Sequence, residues 1–225
     1  MSQSDFALPD INYEGDVEEG LHNKTFDFVY AMSLGGGNVG SNYECDFWGA
    51  QAKNFTFAKE ALEVMCGELG LTGVILASRD SWDSRPCDIP PSCQGKVIQT
   101  PYIGQKEAFD YFRQSKFLFI PQVYDASPRV VTQAMTLDVP VLMNRNIIGG
   151  WKYINDKTGE FFNDLSDFKE SHSRLIANLK KYEPRRYITE NYGDEISGAK
   201  LLDFIKENFS DRVELPEGVE YLIPS

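Results

Sequence analysis

The chain has 225 residues, of which 42% are hydrophobic and 25% are charged, as expected for a globular protein with a core of its own. Its formal net charge of -12 repels phosphate backbones and anionic lipids, which argues against a nucleic-acid-binding or membrane-surface role. A nucleotide ligand stays compatible with this charge, because it needs only a local positive pocket. No apolar run reaches the roughly 20 residues that span a bilayer, and the N-terminus lacks the pattern of a signal peptide. We therefore expect a cytoplasmic protein without a membrane span.

The four cysteines are too few for a disulfide scaffold in a chain of this length. Cys87 and Cys93 are close enough in sequence to pair or to share a metal. A structural zinc site needs four ligands, however, and no further Cys/His pair lies near them. We therefore expect Cys45, Cys66, Cys87 and Cys93 to be free thiols in a reducing compartment, and we expect no metal site.

The chain begins with an acidic segment, residues 1–24, that shows no periodicity and is predicted to be a tail or linker. A single folded domain is predicted over residues 25–209. The last segment, 210–225, contains two prolines and is predicted to be an extended C-terminal tail.

Within the domain, short apolar runs of strand length alternate with amphipathic helices. This alternation predicts an α/β fold, a single Rossmann-like domain with a parallel sheet flanked by helices. Because ligands of such sheets bind beyond the carboxyl ends of the strands, the loops there are the candidate binding loops. Strands are predicted at 26–34, 73–78, 96–100, 117–121 and 139–143, and helices at 51–69, 107–114, 128–137, 164–182 and 194–209.

A glycine-rich run at residues 35–40 follows the first predicted strand and satisfies the pattern G-x-G-x-x-G. In a dinucleotide-binding turn such glycines open a helix directly, and an acidic residue follows about 20 residues later. Neither condition is met, so a Rossmann oxidoreductase is the least favoured interpretation. The loop either lets the backbone approach a ligand at Gly36 and Gly37 or simply turns.

The most informative stretch is residues 117–142, where a strand leads through a polar turn into a helix. The free N–H groups of a first helical turn, together with the helix dipole, bind anions. Ser127 can cap this helix or donate its hydroxyl to a phosphate. Arg129 is a cation in the first turn, which the helix dipole disfavours. Either a bound anion compensates it or its side chain reaches a surface carboxylate.

This stretch resembles the C-terminal, nucleotide-sugar-binding domain of GT-B glycosyltransferases of the family 4-like group. Their pattern is a strand ending in Pro-Ser, then Glu-x7-Glu-Ala, then Gly-x-Pro-Val. Asp125 and Gln133 stand at the two acidic positions with the x7 spacing kept. Lys53-Asn54 resembles the family's Lys-Gly upstream, and Gly149-Gly150 its Gly-Gly downstream. The resemblance covers about residues 26–180.

The resemblance implies a glycosyltransferase donor-binding domain, and hence a metal-independent enzyme that uses a UDP- or GDP-sugar as substrate and no cofactor. Asp125 would face the sugar, Gln133 would bind the ribose, and Lys53 would contact the diphosphate, with Arg129 and Arg79 as further cations. Asp and Gln in place of two Glu residues weaken the case for catalysis more than the case for binding. The nucleotide base is expected against residues 100–104, where Tyr102 either stacks on it or packs in the core.

A GT-B enzyme works in the cleft between two Rossmann-like domains, and this chain has room for one. The expected partners are therefore a nucleotide-sugar, a glycan acceptor and a further domain of a longer chain or of a partner. If the reaction inverts, a carboxylate such as Asp125, Asp80 or Asp46, or another domain, must supply the base. The alternative is a non-catalytic nucleotide-sugar-binding or scaffolding module.

Overall fold

The computed structural model describes residues 1–9, 24–32, 45, 48–78 and 86–209. The strands form one six-stranded sheet, in which every pair of neighbours is parallel and the order is β3-β2-β1-β4-β5-β6. This confirms the predicted α/β fold with a parallel sheet. The strands are β1 (Phe26–Ala31), β2 (Gly73–Leu76), β3 (Val97–Gln99), β4 (Ser115–Ile120), β5 (Val141–Asn144) and β6 (Gly159–Phe162).

Helices connect and cover these strands. The α-helices are α1 (Gln3–Phe6), α2 (Trp48–Ala52), α3 (Phe55–Leu62), α4 (Gln105–Arg113), α5 (Arg129–Thr136), α6 (Leu165–Asn178), α7 (Pro184–Asn191) and α8 (Asp194–Phe209). A π-helical segment, Glu63–Glu68, continues α3, and 3₁₀ turns lie at Pro91–Cys93, Trp151–Tyr153 and Leu179–Lys181. None of the described helices is long and apolar enough to cross a membrane.

The core has two layers, one on each face of the sheet. Successive side chains of β4 alternate between them: Phe117 and Phe119 face the layer of α3 and α6, whereas Leu118 and Ile120 face the layer of α5 and α7. All four side chains are fully buried. Burial on both faces explains why the central strand is a continuous apolar run in the sequence.

The strand predicted to end at Pro121 is β4, which lies beside β1 in the middle of the sheet, as expected. The predicted helix over 51–69 differs from the structure, because Asn54 adopts a left-handed conformation (φ 55°) and separates α2 from α3. Strand β6 and helix α7 were not predicted. Residues 35–40 lie outside the described residues.

The N-terminal region also differs from the prediction of a tail over 1–24. Residues 1–9 are described and contain α1, in which Ser4 and Asp5 are buried. We call residues 1–9 the N-terminal segment. Residues 10–23 and the predicted tail 210–225 lie outside the described part of the chain.

Candidate functional site

The site follows from the strand order. From β1 the chain moves outward to β2 and β3, then returns to β4 on the other side of β1 and continues outward to β5 and β6. The connections on the two sides of β1 and β4 therefore run in opposite directions. In parallel sheets a crevice opens at this point, beyond the carboxyl ends of the two central strands, and ligands bind there. The turn that follows β4 lies at this crevice, and we call residues 121–128 the β4 turn.

The β4 turn is hydrogen-bonded to both of its neighbours. The backbone carbonyl of Pro121 accepts a bond of 3.0 Å from Asn54 Nδ2 and one of 3.3 Å from Asn144 Nδ2. The backbone N–H of Ile148 donates to the carbonyl of Val123 at 3.0 Å. The turn is thus fixed to the start of α3 on one side and to the loop after β5 on the other.

Two glycines allow the loop after β5 to approach the β4 turn. A Cβ atom at Gly149 would lie 2.1 Å from the carbonyl oxygen of Ala126, and one at Gly150 would lie 2.4 Å from Cγ of Pro128. Gly150 also has a positive φ of 81°, which side chains disfavour. The Gly-Gly pair picked out by the family resemblance therefore has a packing reason in this fold.

Lys53 and Asp125 meet in the crevice. Lys53 Nζ lies 3.0 Å from Asp125 Oδ2, and the two side chains are 22% and 19% exposed. The other carboxylate oxygen of Asp125 accepts the backbone N–H of Ser127 at 3.1 Å, which shapes the turn. The Lys53 carbonyl accepts the hydroxyl of Tyr30 at 2.9 Å, so the buried strand β1 holds the lysine backbone in place. A cation and a carboxylate that the sequence places 72 residues apart thus form one ion pair.

The helix after the turn presents its N-terminus to the same crevice. Helix α5 begins at Arg129 after Pro128, and no side chain caps it. Ser127 therefore does not act as the cap that the sequence suggested. Arg129 is exposed, and the described residues give its guanidinium neither a hydrogen bond nor an ion pair. The first turn of α5 thus has backbone N–H groups and a cation near one another, the combination that binds anions.

Gln122 is a buried polar residue inside the turn. Its side chain is fully buried, and its Nε2 group donates a long bond of 3.4 Å to Asp125 Oδ2. Its Oε1 atom has no hydrogen-bond partner. Gln122 stands where the family pattern has the Ser of Pro-Ser.

The N-terminal segment reaches the same turn from the other side. The backbone N–H of Ser4 donates to Ser127 Oγ at 3.0 Å, and the two serine hydroxyls lie 2.8 Å apart. Next to Ser4, the carboxylate of Asp5 accepts bonds of 2.6 Å from Lys152 Nζ, from the hydroxyl of Tyr153 and from the backbone N–H of Ser2. Burial raises the pKa of Asp5, but these hydrogen bonds outweigh it, so the pKa lies below its ordinary value.

The structure brings several of the predicted residues together. Lys53, Asp125, Ser127 and Arg129 all lie around the β4 turn. Gln133 is half-buried and follows Arg129 by four residues on α5, so both side chains lie on one face of the helix. Arg79, Gly36 and Gly37 lie outside the described residues, as do Asp46 and Asp80.

Tyr102 lies apart from this group, after the edge strand β3. Its side chain is 73% exposed, so the alternative in which it packs in the core is wrong.

Sequence reasoning missed Ser4, Asp5, Gln122 and Lys152. Their contacts join residues that are far apart in the sequence, and no motif connects them. For Gln122 a signal did exist, since a glutamine directly after a buried apolar strand predicts a polar group at the carboxyl edge of the sheet.

The cysteines correct a prediction. Cys45 is bonded to Cys87 and Cys66 to Cys93, so the structure has two disulfides and no free thiol, and the expected free thiols are wrong. The first disulfide joins the loop after β1 to the loop after β2, at the carboxyl edge of the sheet. The second joins the π-helical segment to the 3₁₀ turn before β3, at the amino edge. Among the described residues, no group of three or more His, Cys, Asp or Glu could hold a metal ion.

No protein-family model matches the sequence, and no curated protein matches it. Solved structures do match, at low identity. AviGT4, a glycosyltransferase involved in avilamycin A biosynthesis, is 15% identical with a TM-score of 0.51, and the match covers 81% of this chain and 51% of that protein. Sucrose-phosphate synthase from Thermosynechococcus elongatus is 12% identical with a TM-score of 0.54, over 87% of this chain and 49% of that one.

A third similar structure, Staphylococcus aureus TarM, was solved with UDP bound. It is 16% identical with a TM-score of 0.57, and the match covers 81% of this chain and 36% of that one. The chain thus spans about half or less of the length of these proteins. These similar structures are GT-B glycosyltransferases. The chain therefore has the fold of one half of a GT-B glycosyltransferase.

Proposed function

We propose that this chain is the donor-binding half of a glycosyltransferase and holds a nucleotide-diphosphate sugar at the crevice between β1 and β4. Supplied with an acceptor-binding half, it would transfer the sugar to a glycan or other acceptor. The observation that carries the proposal is the meeting of Lys53, Asp125 and the uncapped start of α5 at that crevice. The bound UDP of the similar TarM structure supports a nucleotide-linked donor.

The diphosphate is assigned to the start of α5 and its cations. The N–H groups of the first turn and the guanidinium of Arg129 would neutralise the charge that builds on the leaving diphosphate. Lys53 would move from Asp125 towards the phosphates or bridge both groups, and Arg79 is a further candidate cation. No metal is needed for this chemistry, because preorganised N–H groups and cations supply the positive charge.

The sugar and nucleoside are assigned to neighbouring residues. Asp125 would face the sugar, and Gln133, one turn into α5, would bind the ribose, because an amide both donates and accepts hydrogen bonds. The base would lie against residues 100–104, with the exposed ring of Tyr102 free to stack on it. Gly36 and Gly37 would let the loop after β1 approach the donor.

One observation favours the alternative, a non-catalytic nucleotide-sugar-binding module. Both carboxylate oxygens of Asp125 already accept hydrogen bonds, one from Lys53 and one from the Ser127 backbone. A carboxylate occupied in this way is better suited to shaping the turn than to contacting a sugar.

A thermal-shift screen with UDP, GDP, dTDP and NADH tests the binding proposal. Calorimetry with the nucleoside diphosphate that binds then compares two arginine variants. Arg129→Ala should weaken binding roughly tenfold to a hundredfold, because a charge-assisted contact contributes about 1.5–3 kcal/mol. Arg186→Ala on α7, whose guanidinium pairs with Glu183 and Glu190, should leave binding unchanged. Absence of binding by all three diphosphates, or equal effects of the two variants, would contradict the proposed site.

Kinetics with the matching sugar donor separate the enzyme from the binding module. Gln133→Ala should raise KM with little change in kcat, because a ribose contact is present in ground and transition state alike. Asp125→Asn should leave diphosphate affinity within about twofold and lower kcat by on the order of a hundredfold. A wild-type chain that binds donor but forms no product when an acceptor half is supplied would support the binding module.

The two disulfides bear on the compartment. Disulfides persist in oxidising compartments and are rare in the cytosol, so they favour an oxidising compartment over the cytoplasm predicted from the sequence. To test this point, the cells that naturally produce the protein are lysed in denaturant with an alkylating reagent, and the alkylated cysteines of the chain are counted. Four reactive thiols would restore the cytoplasmic prediction.

A further inference from the structure

The N-terminal segment makes its closest site contact through Ser4. This residue is fully buried, and both its backbone N–H and its hydroxyl lie within hydrogen-bond distance of Ser127 Oγ, at 3.0 Å and 2.8 Å. Ser127 is the residue of the β4 turn whose hydroxyl was expected to cap α5 or to bind a phosphate. Since α5 has no side-chain cap, the first of these roles is not used.

The direction of the Ser4–Ser127 hydrogen bond follows from counting donors and acceptors. A serine hydroxyl has one hydrogen to donate and two lone pairs to accept with. In the described part of the chain, the only acceptor within reach of the buried Ser4 hydroxyl is Ser127 Oγ. Because buried hydroxyl groups satisfy their donor, Ser4 donates its hydroxyl hydrogen to Ser127.

This direction leaves the Ser127 hydroxyl able only to donate a hydrogen bond. Its two lone pairs are filled by the backbone N–H and the hydroxyl of Ser4. Its own hydrogen has no acceptor among the described residues and points away from both filled positions. Ser127 itself is half-buried, so this hydrogen is reachable from the crevice.

Asp5 holds Ser4 in this position. Its carboxylate binds Lys152 and Tyr153, and its backbone carbonyl accepts bonds of 2.8 Å from the Gly193 N–H and 2.7 Å from the Ser197 hydroxyl. The segment is thus attached both to the loop after β5 and to the start of α8. Ser4 therefore approaches Ser127 from a fixed direction.

We propose that Ser4 is a positioning residue, which orients the Ser127 hydroxyl as a hydrogen-bond donor to a phosphate of the bound nucleoside diphosphate. The proposal rests on the proposed function, because it takes the diphosphate to lie at the start of α5. The N-terminal segment, which the sequence presents as part of a tail, is on this view part of the binding site. If Ser127 instead donated its only hydrogen to Ser4, it would have none left for a phosphate, and the N-terminal segment would block the site.

A double-mutant cycle on Ser4 and Ser127 tests the proposal, with calorimetry of the nucleoside diphosphate that the wild-type chain binds among UDP, GDP and dTDP. Ser127→Ala should weaken binding by about fivefold to tenfold, the effect of one hydrogen bond of ordinary strength. Ser4→Ala should weaken it about threefold to fivefold, because the Ser127 hydroxyl is then free to rotate. In the Ser127→Ala background, Ser4→Ala should have no further effect.

Two controls separate positioning from a general loss of structure. Ser173→Ala removes an exposed hydroxyl of α6 that donates to the Lys169 carbonyl at 2.8 Å, outside the N-terminal segment and the β4 turn, so it should leave affinity unchanged. The corresponding nucleoside, which has no phosphate, should bind Ser4→Ala and wild type equally.

Each other outcome has one meaning. If none of the three diphosphates binds the wild-type chain, the proposed function fails before any variant is compared. Suppose that the diphosphate binds and that Arg129→Ala weakens its binding. If Ser4→Ala then has no effect on affinity, or the same effect in both backgrounds, the positioning role of Ser4 is overturned while the proposed function stands. Tighter binding by Ser4→Ala would show that the segment blocks the site and would also overturn the proposal.

Discussion

The two edges of the parallel sheet differ in how their polar groups are used. At the amino edge, the charged residues are paired: Asp27 binds Lys116 at 2.7 Å and the Thr72 N–H at 2.8 Å, and Lys24 donates to the backbone carbonyl of Arg113. The exception is His172, whose Nε2 atom has no partner and whose pKa is lowered by burial, so that it stays neutral. These contacts close the edge.

At the carboxyl edge, polar groups are left available. Gln122 Oε1 has no partner, Arg129 is exposed, and α5 starts without a cap. Four of the described non-glycine residues have a positive φ. Three of them lie in connections at this edge, namely Cys45, Asn54 and Ala77. Backbone strain of this kind persists only where the surroundings enforce it, and it is common at functional sites. The amino edge thus pairs its charged groups within the fold, whereas the carboxyl edge leaves available the groups that the proposed binding site would use.

Each edge contains one disulfide, which gives the comparison its strongest test. Replacing Cys45 and Cys87 by Ser, or Cys66 and Cys93 by Ser, opens loops with sequence separations of 42 and 27 residues. Chain entropy predicts a loss of about 3–4 kcal/mol in the free energy of unfolding for either pair. The expected fall in Tm is roughly 6–16 °C.

Nucleotide affinity should separate the two disulfide variants. Only the Cys45–Cys87 bond joins the loops after β1 and β2, so only its removal should weaken binding at the crevice. Denaturant unfolding and calorimetry on both variants check this. Equal losses of affinity would mean that binding depends on overall stability and not on this edge.

Two glycines with close backbone contacts make the second pair. A Cβ at Gly149 would lie 2.1 Å from the Ala126 carbonyl oxygen at the carboxyl edge. A Cβ at Gly159, the first residue of β6, would lie 2.0 Å from the carbonyl oxygen of Val141, the first residue of β5. Gly149→Ala and Gly159→Ala should each destabilise the fold by about 2–3 kcal/mol through overpacking. Gly149→Ala should in addition displace the β4 turn and weaken nucleotide binding. Unchanged affinity of Gly149→Ala would show that the turn does not contact the ligand.

The buried carboxylate of Asp5 and the half-buried carboxylate of Asp27 make the third and smallest pair. For both Asp5 and Asp27, burial raises the pKa, but hydrogen bonds from lysine and backbone outweigh it, so the pKa is lowered on folding. At pH 7, Asp5→Asn should lower the free energy of unfolding by about 2 kcal/mol and Asp27→Asn by about 1 kcal/mol, because the side chain of Asp5 is the more buried of the two.

The pH dependence of these losses has a defined sign. A carboxylate with a lowered folded pKa binds fewer protons folded than unfolded, so its stabilisation is present above the ordinary pKa of about 4 and is lost as the pH falls below it. The difference between wild type and each Asn variant should therefore vanish in denaturant unfolding at acid pH. Only Asp5→Asn, which loosens the N-terminal segment beside Ser127, should also weaken nucleotide binding at pH 7. A loss that persisted at acid pH would assign the effect of Asn to packing.

The sequence by itself determined the α/β class, the central position of β4 and four of the residues around the β4 turn. These features depend on local information: apolar runs of strand length, helical periodicity, and a polar turn between the two. Ser127 and Arg129 could be found because they border the predicted helix, whereas Lys53 and Asp125 were found because their positions match the pattern of GT-B glycosyltransferases.

Only the tertiary structure decided which distant residues meet. Strand β6 is short and weakly apolar, and it forms because β5 offers it a parallel edge with pairs such as Val141 and Gly159. The cysteine pairs and the bonds from Ser4 to Ser127 likewise connect segments far apart in the chain. Such contacts have no periodicity or spacing in the sequence, because their energy arises only when packing of the sheet has already brought both partners to the same edge.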